Sequence, residues 1–212
     1  MHEKSYYRPL SIPAIYSLIQ SIFGPRAKKD LYAKINQILG RLPSGRNILD
    51  VGCGPSSWLW QQDRHPIGLD FNFLYTKAFR AEGCECVTGS AETLPFLSSA
   101  FDSVWSFGLL HHLPDRIAKK AIKEIYRVTC PGGYCAIFDA VLPEPAWRRP
   151  LPQLIRKIDR GRYMRTQKEI ESLLTRPMDW DCERFSYSLY RLEGIFCILH
   201  KKADLNTKVG SV

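Results

Sequence analysis

The residues with the most chemical information form the run Asp50-Val-Gly-Cys-Gly54. A predicted strand that ends in Gly-x-Gly and turns toward a helix lets a ligand approach the backbone closely. Asp50 would repel the pyrophosphate that a dinucleotide brings to such a turn, and Ser57 stands where the dinucleotide motif has its third glycine. The pattern therefore favours a positively charged ligand without phosphate, such as S-adenosylmethionine, which carries an ammonium and a sulfonium.

Asp70 is a second carboxylate, and it ends the next predicted strand, Ile67-Gly-Leu-Asp70. In nucleotide-binding α/β folds, a carboxylate at this place accepts hydrogen bonds from the ribose hydroxyls. Two structural alternatives stay open: Asp70 could cap the helix that follows it, and Asp50 could be a turn residue at the end of its strand. For both alternatives to hold, at matching strand ends, is a greater coincidence than for either one alone.

Two adjacent histidines, His111 and His112, follow the predicted strand 101–107, at the edge where a substrate would approach. A sulfonium such as that of S-adenosylmethionine is displaced in line by a nucleophile, and such a displacement needs a base only when the nucleophile must lose a proton. Histidine titrates near neutral pH and suits that task. We predict that His112, or else His111, is the base; the alternative is that one ring packs behind the sheet and the other caps the loop.

Hydrophobic periodicity predicts strands that alternate with helices through most of the chain. The predicted helices cover 28–41, 56–63, 71–81, 115–129, 152–159 and 166–175, and the predicted strands cover 47–51, 67–70, 85–88, 101–107, 134–138, 183–190 and 195–199. This alternation is typical of a parallel sheet with helices on both faces. The last two strands are predicted to form a hairpin around Glu193-Gly194, so that the final strand runs antiparallel to its partner.

The composition of the 212 residues, with 45% hydrophobic and 24% charged, is that of a globular protein with one sizeable domain. The net charge of +9 lies in the flanks, because residues 1–45 carry +5, residues 46–140 carry −1 and residues 141–212 carry +5. A neutral middle disfavours nucleic acid as a partner of the core fold. The densest basic run, 148–165, is interpreted as a solvated face, with a surface for an anionic substrate or a membrane as the alternative.

The number and spacing of the cysteines, together with the apolar stretch near the N-terminus, indicate the cellular compartment of the protein. The chain has 7 cysteines, an odd number, without a Cys-x-x-Cys pair, so we expect free thiols, no disulfide framework and no metal site. The apolar stretch 10–23 is interrupted by polar residues and has no small-residue cleavage site. These features predict a cytoplasmic protein.

Taken together, the motifs resemble those of class I S-adenosylmethionine-dependent methyltransferases. The first two motifs of that family are similar to the runs 48–54 and 67–70. More specifically, the chain resembles the small-molecule group called methyltransferase type 11. The runs that carry this resemblance are Gly89-Ser-Ala-Glu-Thr-Leu-Pro-Phe96, Phe101-Asp102, Leu109-Leu-His-His-Leu-Pro-Asp115 and Pro131-Gly-Gly133. The resemblance covers residues 46–140 and, by topology only, the terminal hairpin.

The resemblance implies an α/β fold, a Rossmann-like doubly wound sheet of seven strands, mostly parallel with the last strand antiparallel, and helices on both faces. It implies S-adenosylmethionine as cofactor and S-adenosylhomocysteine as product, bound at the carboxyl ends of the first strands. The positions that match the family motifs would bind the methionyl end (Asp50, Gly52, Gly54), the ribose (Asp70), the adenine (Ser90, Ala91, Glu92) and the reactive end (Phe107, Gly108). Ser90 stands where the family usually has an aspartate, which weakens the expected adenine contact.

We expect a single methyltransferase domain over 1–212, with an N-terminal cap segment, 1–27, and an inserted helical lid, 141–181, that both lie outside the resemblance. Both segments are basic and rich in aromatic residues, which favours a small-molecule acceptor that is amphipathic or lipid-like, with peripheral membrane contact and no obligate protein partner. No Asn-Pro-Pro-Tyr-type motif follows the fourth strand, so methylation of base amines is disfavoured. A non-catalytic S-adenosylmethionine-binding module and a nucleic-acid methyltransferase stay open as alternatives.

Overall fold

A computed structural model describes most of the chain. It covers residues 24–40, 42, 47–145, 150, 152, 154, 162–174, 178–187 and 192–203, with side chains from Lys29 onward. The predicted cap segment lies outside the described residues except for 24–27, and so does most of the predicted helix 152–159.

The strands form one seven-stranded sheet with the order β3-β2-β1-β4-β5-β7-β6. Their bounds are Ile48–Val51 (β1), Ile67–Asp70 (β2), Cys86–Thr88 (β3), Phe101–Phe107 (β4), Thr129–Ala140 (β5), Asp181–Tyr187 (β6) and Leu192–His200 (β7). Strands β1 to β5 pair in parallel, while β7 runs antiparallel to both β5 and β6. This topology confirms the predicted fold class.

The strand order reverses between β1 and β4. From β1 the chain proceeds to β2 and β3 on one side, and then crosses to β4 and β5 on the other side. The connections on the two sides diverge at this point, which leaves a crevice beyond the carboxyl ends of the strands. In doubly wound sheets this crevice is where ligands bind, so the topology directs attention to the ends of β1, β2, β4 and β5.

Helices cover both faces of the sheet. Helix α1, Gly24–Leu39, packs Leu31, Ile35 and Ile38 against an aromatic layer on one face of the sheet. This layer consists of Trp105, Phe107, Tyr134, Phe138 and Phe196. On the other face, helix α3, Asp115–Val128, buries a stripe at helical spacing against the apolar residues of β1, β4 and β5; its members are Ala118, Ala121, Ile122, Ile125 and Val128.

Two shorter helices also lie within the described part of the chain. Helix α2, Phe73–Ala81, packs against β2 and β3, and the side chain of Asn72 caps it by accepting from the backbone N–H of Leu74. Helix α4, Gln167–Leu173, begins with a reciprocal capping box between Thr166 and Glu169. The predicted helix 166–175 is therefore confirmed, and α4 contacts α3.

Two local predictions are wrong. In place of the helix predicted over 56–63 there is a short 3-10 turn, Trp60–Gln62, which ends where Asp63 takes a left-handed backbone with φ 53°. The turn predicted at Glu193-Gly194 is also absent, because both residues lie within β7. Gly194 has a packing role instead, since a Cβ there would overlap the ring of Phe138.

The cysteines depart from expectation at one pair. Cys182 and Cys197 lie opposite each other on β6 and β7 and form a disulfide, so the expectation of free thiols is wrong there. The other cysteines, Cys53, Cys84, Cys86, Cys130 and Cys135, are free.

Within the described ranges, no helix combines the length and the apolar character needed to cross a bilayer. The same residues include no group of three or more His, Cys, Asp or Glu side chains that could hold a metal ion.

Gly68 tests how tightly the strand ends pack. It lies opposite Asp50 in the register of β1 and β2, and a Cβ there would lie 2.8 Å and 2.9 Å from the sulfurs of Cys53 and Cys86. We expect Gly68→Ala to lower the free energy of unfolding by about 1–3 kcal/mol, because the cysteines must move. Urea denaturation measures this loss. Gly89→Ala is the control, since its nearest neighbour would lie at 3.4 Å; equal losses in both variants would contradict the packing argument.

Candidate active site

A glycine turn joins the ends of β1 and β2. The backbone N–H groups of Gly52 and Cys53 both donate to the carbonyl of Leu69, at 2.7 Å and 3.1 Å. The N–H of Gly54 donates to the carboxylate of Asp70 at 3.0 Å. Gly52 and Gly54 have φ of 74° and 64°, a conformation that glycine adopts without strain. The turn after β1 is therefore tied to the end of β2.

Asp50 is a buried carboxylate with one unused oxygen. The residue is only 1% exposed, and its Oδ2 accepts a hydrogen bond from the hydroxyl of Ser57 at 2.6 Å. Its Oδ1 has no hydrogen-bond partner among the described residues. Burial raises the pKa of Asp50 to about 7; the Ser57 hydrogen bond opposes this shift and the charge of Asp70 adds to it. A buried hydrogen-bond acceptor needs a donor. A cationic donor would favour the ionised form of Asp50 most strongly.

Asp70 accepts from backbone N–H groups on two sides. Asn72 donates to Oδ1 at 2.8 Å and Gly54 donates to Oδ2 at 3.0 Å. Burial raises its pKa, while these hydrogen bonds oppose the shift. The cap of α2 is Asn72, so the alternative that Asp70 merely caps this helix is wrong. Each carboxylate oxygen can accept a further hydrogen bond, which leaves capacity for a pair of hydroxyls.

The segment after β4 packs against the glycine turn. A Cβ on Gly52 would lie 2.9 Å from Cδ1 of Leu109, so only glycine lets Leu109 approach. Gly108, with φ 66°, brings the chain round so that its Cα faces the ring of His111; a Cβ there would lie 3.3 Å from Cε1 of that ring. The glycine turn and the histidine segment thus meet at one edge of the sheet.

His111 is bound to a buried carboxylate. It lies in the 3-10 turn Leu110–His112, and its Nδ1 and backbone N–H contact the two oxygens of Asp139 at 2.5 Å and 3.1 Å. Burial alone would raise the pKa of Asp139, which is 1% exposed, but the charge and hydrogen bond of His111 outweigh it and hold that pKa below its usual range. Asp139 therefore stays ionised at neutral pH.

His112 has a different environment. Its residue is exposed, and the ring lies 4.1 Å from the ring of His111, measured between centroids. The sequence favoured His112 as the base, whereas the geometry gives the carboxylate partner to His111. The alternative in which one ring packs behind the sheet and the other caps the loop stays open.

The other predicted cofactor contacts are placed less tightly. The hydroxyl of Ser90 accepts from the N–H of Glu92 at 3.4 Å, and the carboxylate of Glu92 pairs with Lys120 at 3.2 Å. Ala91 packs against the core, and Phe107 is buried within the aromatic layer. The roles of these residues, and of Gly108, toward a cofactor stay predictions.

Three residues of the site were missed from the sequence. Asp139 could have been found, because it stands near the carboxyl end of β5, as Asp50 and Asp70 stand near the ends of β1 and β2. Ser57 was noted only as an absent glycine. Arg165 was interpreted as part of the solvated basic run 148–165, which is wrong for this residue: it is buried and contacts the histidine turn.

Comparison with known proteins gives this fold and site a class. The sequence model of a family described as a methyltransferase domain matches residues 49–137. The protein "Probable tRNA methyltransferase 9B" of Homo sapiens is 29% identical over 139 residues, which are 65% of this chain and 30% of that protein. A "Demethylmenaquinone methyltransferase" of Listeria monocytogenes is 34% identical over 126 residues, covering 52% of this chain and 52% of that protein.

A solved structure extends the likeness over nearly the whole chain. A protein of Thermotoga maritima, described as a SAM-dependent methyltransferase and "possible histamine N-methyltransferase", has a TM-score of 0.71 at 16% identity, covering 92% of this chain and 100% of that one. This likeness shows the fold alone. The chain spans 30% of the human relative and about half of the Listeria one. Residues 49–137 therefore match a methyltransferase domain of the type 11 group, a class of proteins whose cofactor is S-adenosylmethionine.

The residues of the site fit that cofactor. The orphaned Oδ1 of buried Asp50 suits an ammonium group, and the remaining capacity of Asp70 suits a pair of ribose hydroxyls. No phosphate has to be accommodated, which agrees with two carboxylates at the strand ends.

The raised pKa of Asp50 predicts proton-linked binding. In the free protein this group is protonated below about pH 7, whereas a bound ammonium would lower its pKa, so binding releases a proton. Between about pH 7 and pH 5, the Kd for S-adenosylhomocysteine should rise as pH falls, by up to about tenfold per pH unit. Titration calorimetry in buffers of different ionisation enthalpy measures both the Kd and the proton. Asp50→Asn should bind weakly and without this pH dependence; a wild-type Kd that is constant over the range would contradict the assignment.

Ser57 offers a second test at the same carboxylate. Ser57→Ala removes the donor to Oδ2 and should raise the pKa of Asp50 further, which weakens S-adenosylhomocysteine binding at neutral pH by about tenfold. Ser56→Ala is the matched control, because Ser56 is exposed and should leave the Kd unchanged. If the two variants bound equally, Ser57 would have no part in tuning Asp50.

Proposed function

We propose that this chain transfers the methyl group of S-adenosylmethionine to an oxygen atom of a small-molecule acceptor, with His111 as the base. The observation that carries the proposal is the pair formed by His111 and the buried, ionised Asp139 at the sheet edge that also bears Asp50 and Asp70. A base is useless for an acceptor that has no proton to lose, so the pair favours a hydroxyl or phenol.

In this proposal the strand ends bind and orient the cofactor. Asp50 accepts from the ammonium through Oδ1, and Asp70 accepts from the ribose. Gly52 lets Leu109, from the segment after β4, pack against the turn that would hold the methionyl end. The bound cofactor supplies a methyl group on a sulfonium, which is a good electrophile because its leaving group is neutral. The protein therefore has mainly to position the acceptor and remove its proton.

His111 then acts through its second nitrogen. Its Nδ1–H donates to Asp139, which leaves Nε2 with a lone pair. Nε2 would take the proton of the acceptor hydroxyl, and the cofactor would supply the methyl group to the acceptor oxygen, with the carbon–sulfur electron pair left on sulfur. Asp139 stabilises the imidazolium that forms, because it is already ionised.

Support for a small acceptor comes from the segment that contacts the histidine turn. The backbone N–H of Tyr163 donates to the carbonyl of His111 at 2.9 Å, so the lid meets the turn at the proposed base. A segment at this place favours a small acceptor that it can enclose. The Listeria relative is named for a quinone, which is consistent with a small, amphipathic acceptor.

A nucleic-acid acceptor is the second candidate, since the human relative is named for tRNA. The observation that favours it is an exposed basic face on α3, made by Arg116, Lys119 and Lys123. Helix α3 begins directly after the histidine turn, so this face leads away from the proposed base. Phosphate contacts along such a face would depend strongly on salt.

One experiment separates the two acceptors. The protein is incubated with S-adenosylmethionine and either a panel of phenols, catechols, naphthols and sugars or total tRNA, and released S-adenosylhomocysteine is measured. We expect release with a hydroxyl-bearing small molecule. Release that requires tRNA, and that falls steeply as salt rises, would replace the small-molecule proposal with the second candidate.

Variants of the pair test the base. His111→Gln and Asp139→Asn should each lower kcat by about 10²–10³-fold while S-adenosylhomocysteine affinity stays within about twofold, because the pair removes a proton and does not bind the cofactor. His112→Gln is the matched control and should retain most of the turnover. The reverse result, with His112→Gln inactive and His111→Gln active, would make His112 the base, as the sequence first favoured. Thermal unfolding of each variant checks that the fold is kept.

A further inference from the structure

The lid contains a buried arginine that has no part in the proposed proton transfer. Arg165 is 6% exposed, although it belongs to a basic run whose described neighbour Arg162 is exposed. A buried guanidinium is costly unless its donors are satisfied, so its partners indicate why it is there.

Those partners bracket the two histidines. Nη1 of Arg165 donates to the carbonyl of Leu110 at 2.7 Å, and Nη2 donates to the carbonyl of Leu113 at 2.6 Å. Nη2 and Nε also contact Oδ1 of Asp115, at 2.7 Å and 3.0 Å. The planar guanidinium thus holds the carbonyls just before His111 and just after His112, and the first residue of α3. A lysine cannot reproduce this fork, because its ammonium is a single point of attachment.

The backbone of Arg165 is anchored on its other side to β5. Its carbonyl accepts from the N–H of Leu142 at 2.9 Å, and it forms a parallel bridge with Val141. Val141 directly follows β5, which carries Asp139. One lid residue therefore connects the strand end that bears the carboxylate to the turn that bears the imidazole.

We propose that Arg165 is a positioning residue that keeps Nδ1 of His111 on Asp139 and couples the placement of the lid to the geometry of the base. This inference rests on the proposed function, since it concerns the same histidine. The guanidinium holds the backbone carbonyls on either side of the two histidines. Its effect on the imidazole therefore passes through the position of the turn, where displacements of about 1 Å change reaction rates greatly.

The main test reads the His111–Asp139 contact directly and needs no acceptor. In the ¹⁵N-labelled full chain bound to S-adenosylhomocysteine, the Nδ1 proton of His111 should give a downfield resonance, assigned by its loss in His111→Gln and Asp139→Asn. Arg165→Gln should lose or broaden this resonance, and Arg165→Lys should restore it in part. Amide exchange of residues 111–113 in Arg165→Gln should be at least about tenfold faster.

Arg184→Gln is the matched control. Arg184 also ties the start of the lid, through the carbonyl of Leu142 and the carboxylates of Glu144 and Glu193, so it shares the strand-end anchor of Arg165 while its described hydrogen bonds do not reach the histidine turn. Its loss should leave the Nδ1 resonance unchanged. Should Arg165→Gln fail to fold, Asp115→Asn loosens the same fork from its exposed side and should speed amide exchange in the turn.

The outcomes separate the two proposals. An intact resonance and unchanged exchange in folded Arg165→Gln, or no such resonance in the wild type, would overturn the positioning role. Suppose that Arg165→Gln loses the resonance while Arg184→Gln keeps it, and that the wild type turns over none of the hydroxyl acceptors. This result would support the positioning role and overturn the proposed function. With an active acceptor, Arg165→Gln should lower kcat by about tenfold or more, with KM for S-adenosylmethionine kept within about twofold.

Discussion

The site depends on one electrostatic constraint: the carboxylate of Asp50 is buried at the end of β1 with one oxygen unpartnered among the described residues. Keeping such a group ionised is costly, and Ser57 offsets only part of that cost. The glycine turn, the pairing of Gly54 with Asp70 and the approach of Leu109 surround this carboxylate. A bound cation removes the free-energy cost of the buried charge. Residues that lack a partner in the free protein therefore fit a sulfonium nucleoside that bears an ammonium.

The parts of the site that were predictable are those encoded locally. Asp50 and Asp70 lie at the carboxyl ends of apolar strands and Gly52 directly follows one, so the rule that parallel strands end at one edge was enough to place them together. The alternating periods of strands and helices likewise predicted the sheet, because each element buries its own stripe. Asp139, near the carboxyl end of β5, follows the same rule. The prediction applied the rule to two strands, whereas it holds for three.

The features that escaped prediction depend on partners distant in sequence. Arg165 lies 55 residues from the carbonyl of Leu110 that it holds, and no local signal distinguishes it from the other arginines of its run. The disulfide of Cys182 and Cys197 follows from the register of β6 on β7, which spacing along the chain does not reveal. The helix expected over 56–63 failed for a related reason, because the hydroxyl of Ser57 bonds to Asp50 on another element.

The two carboxylates at the ends of β1 and β2 also bear on what happens after transfer. S-adenosylmethionine carries one more positive charge than S-adenosylhomocysteine, and their common framework is otherwise the same. If Asp50 and Asp70 bind the nucleoside as proposed, their negative field would discriminate between the spent and the fresh nucleoside by charge, with little need for contacts to the methyl group itself. The same carboxylates would then bind the neutral thioether less strongly than the cation, which would favour turnover by exchange.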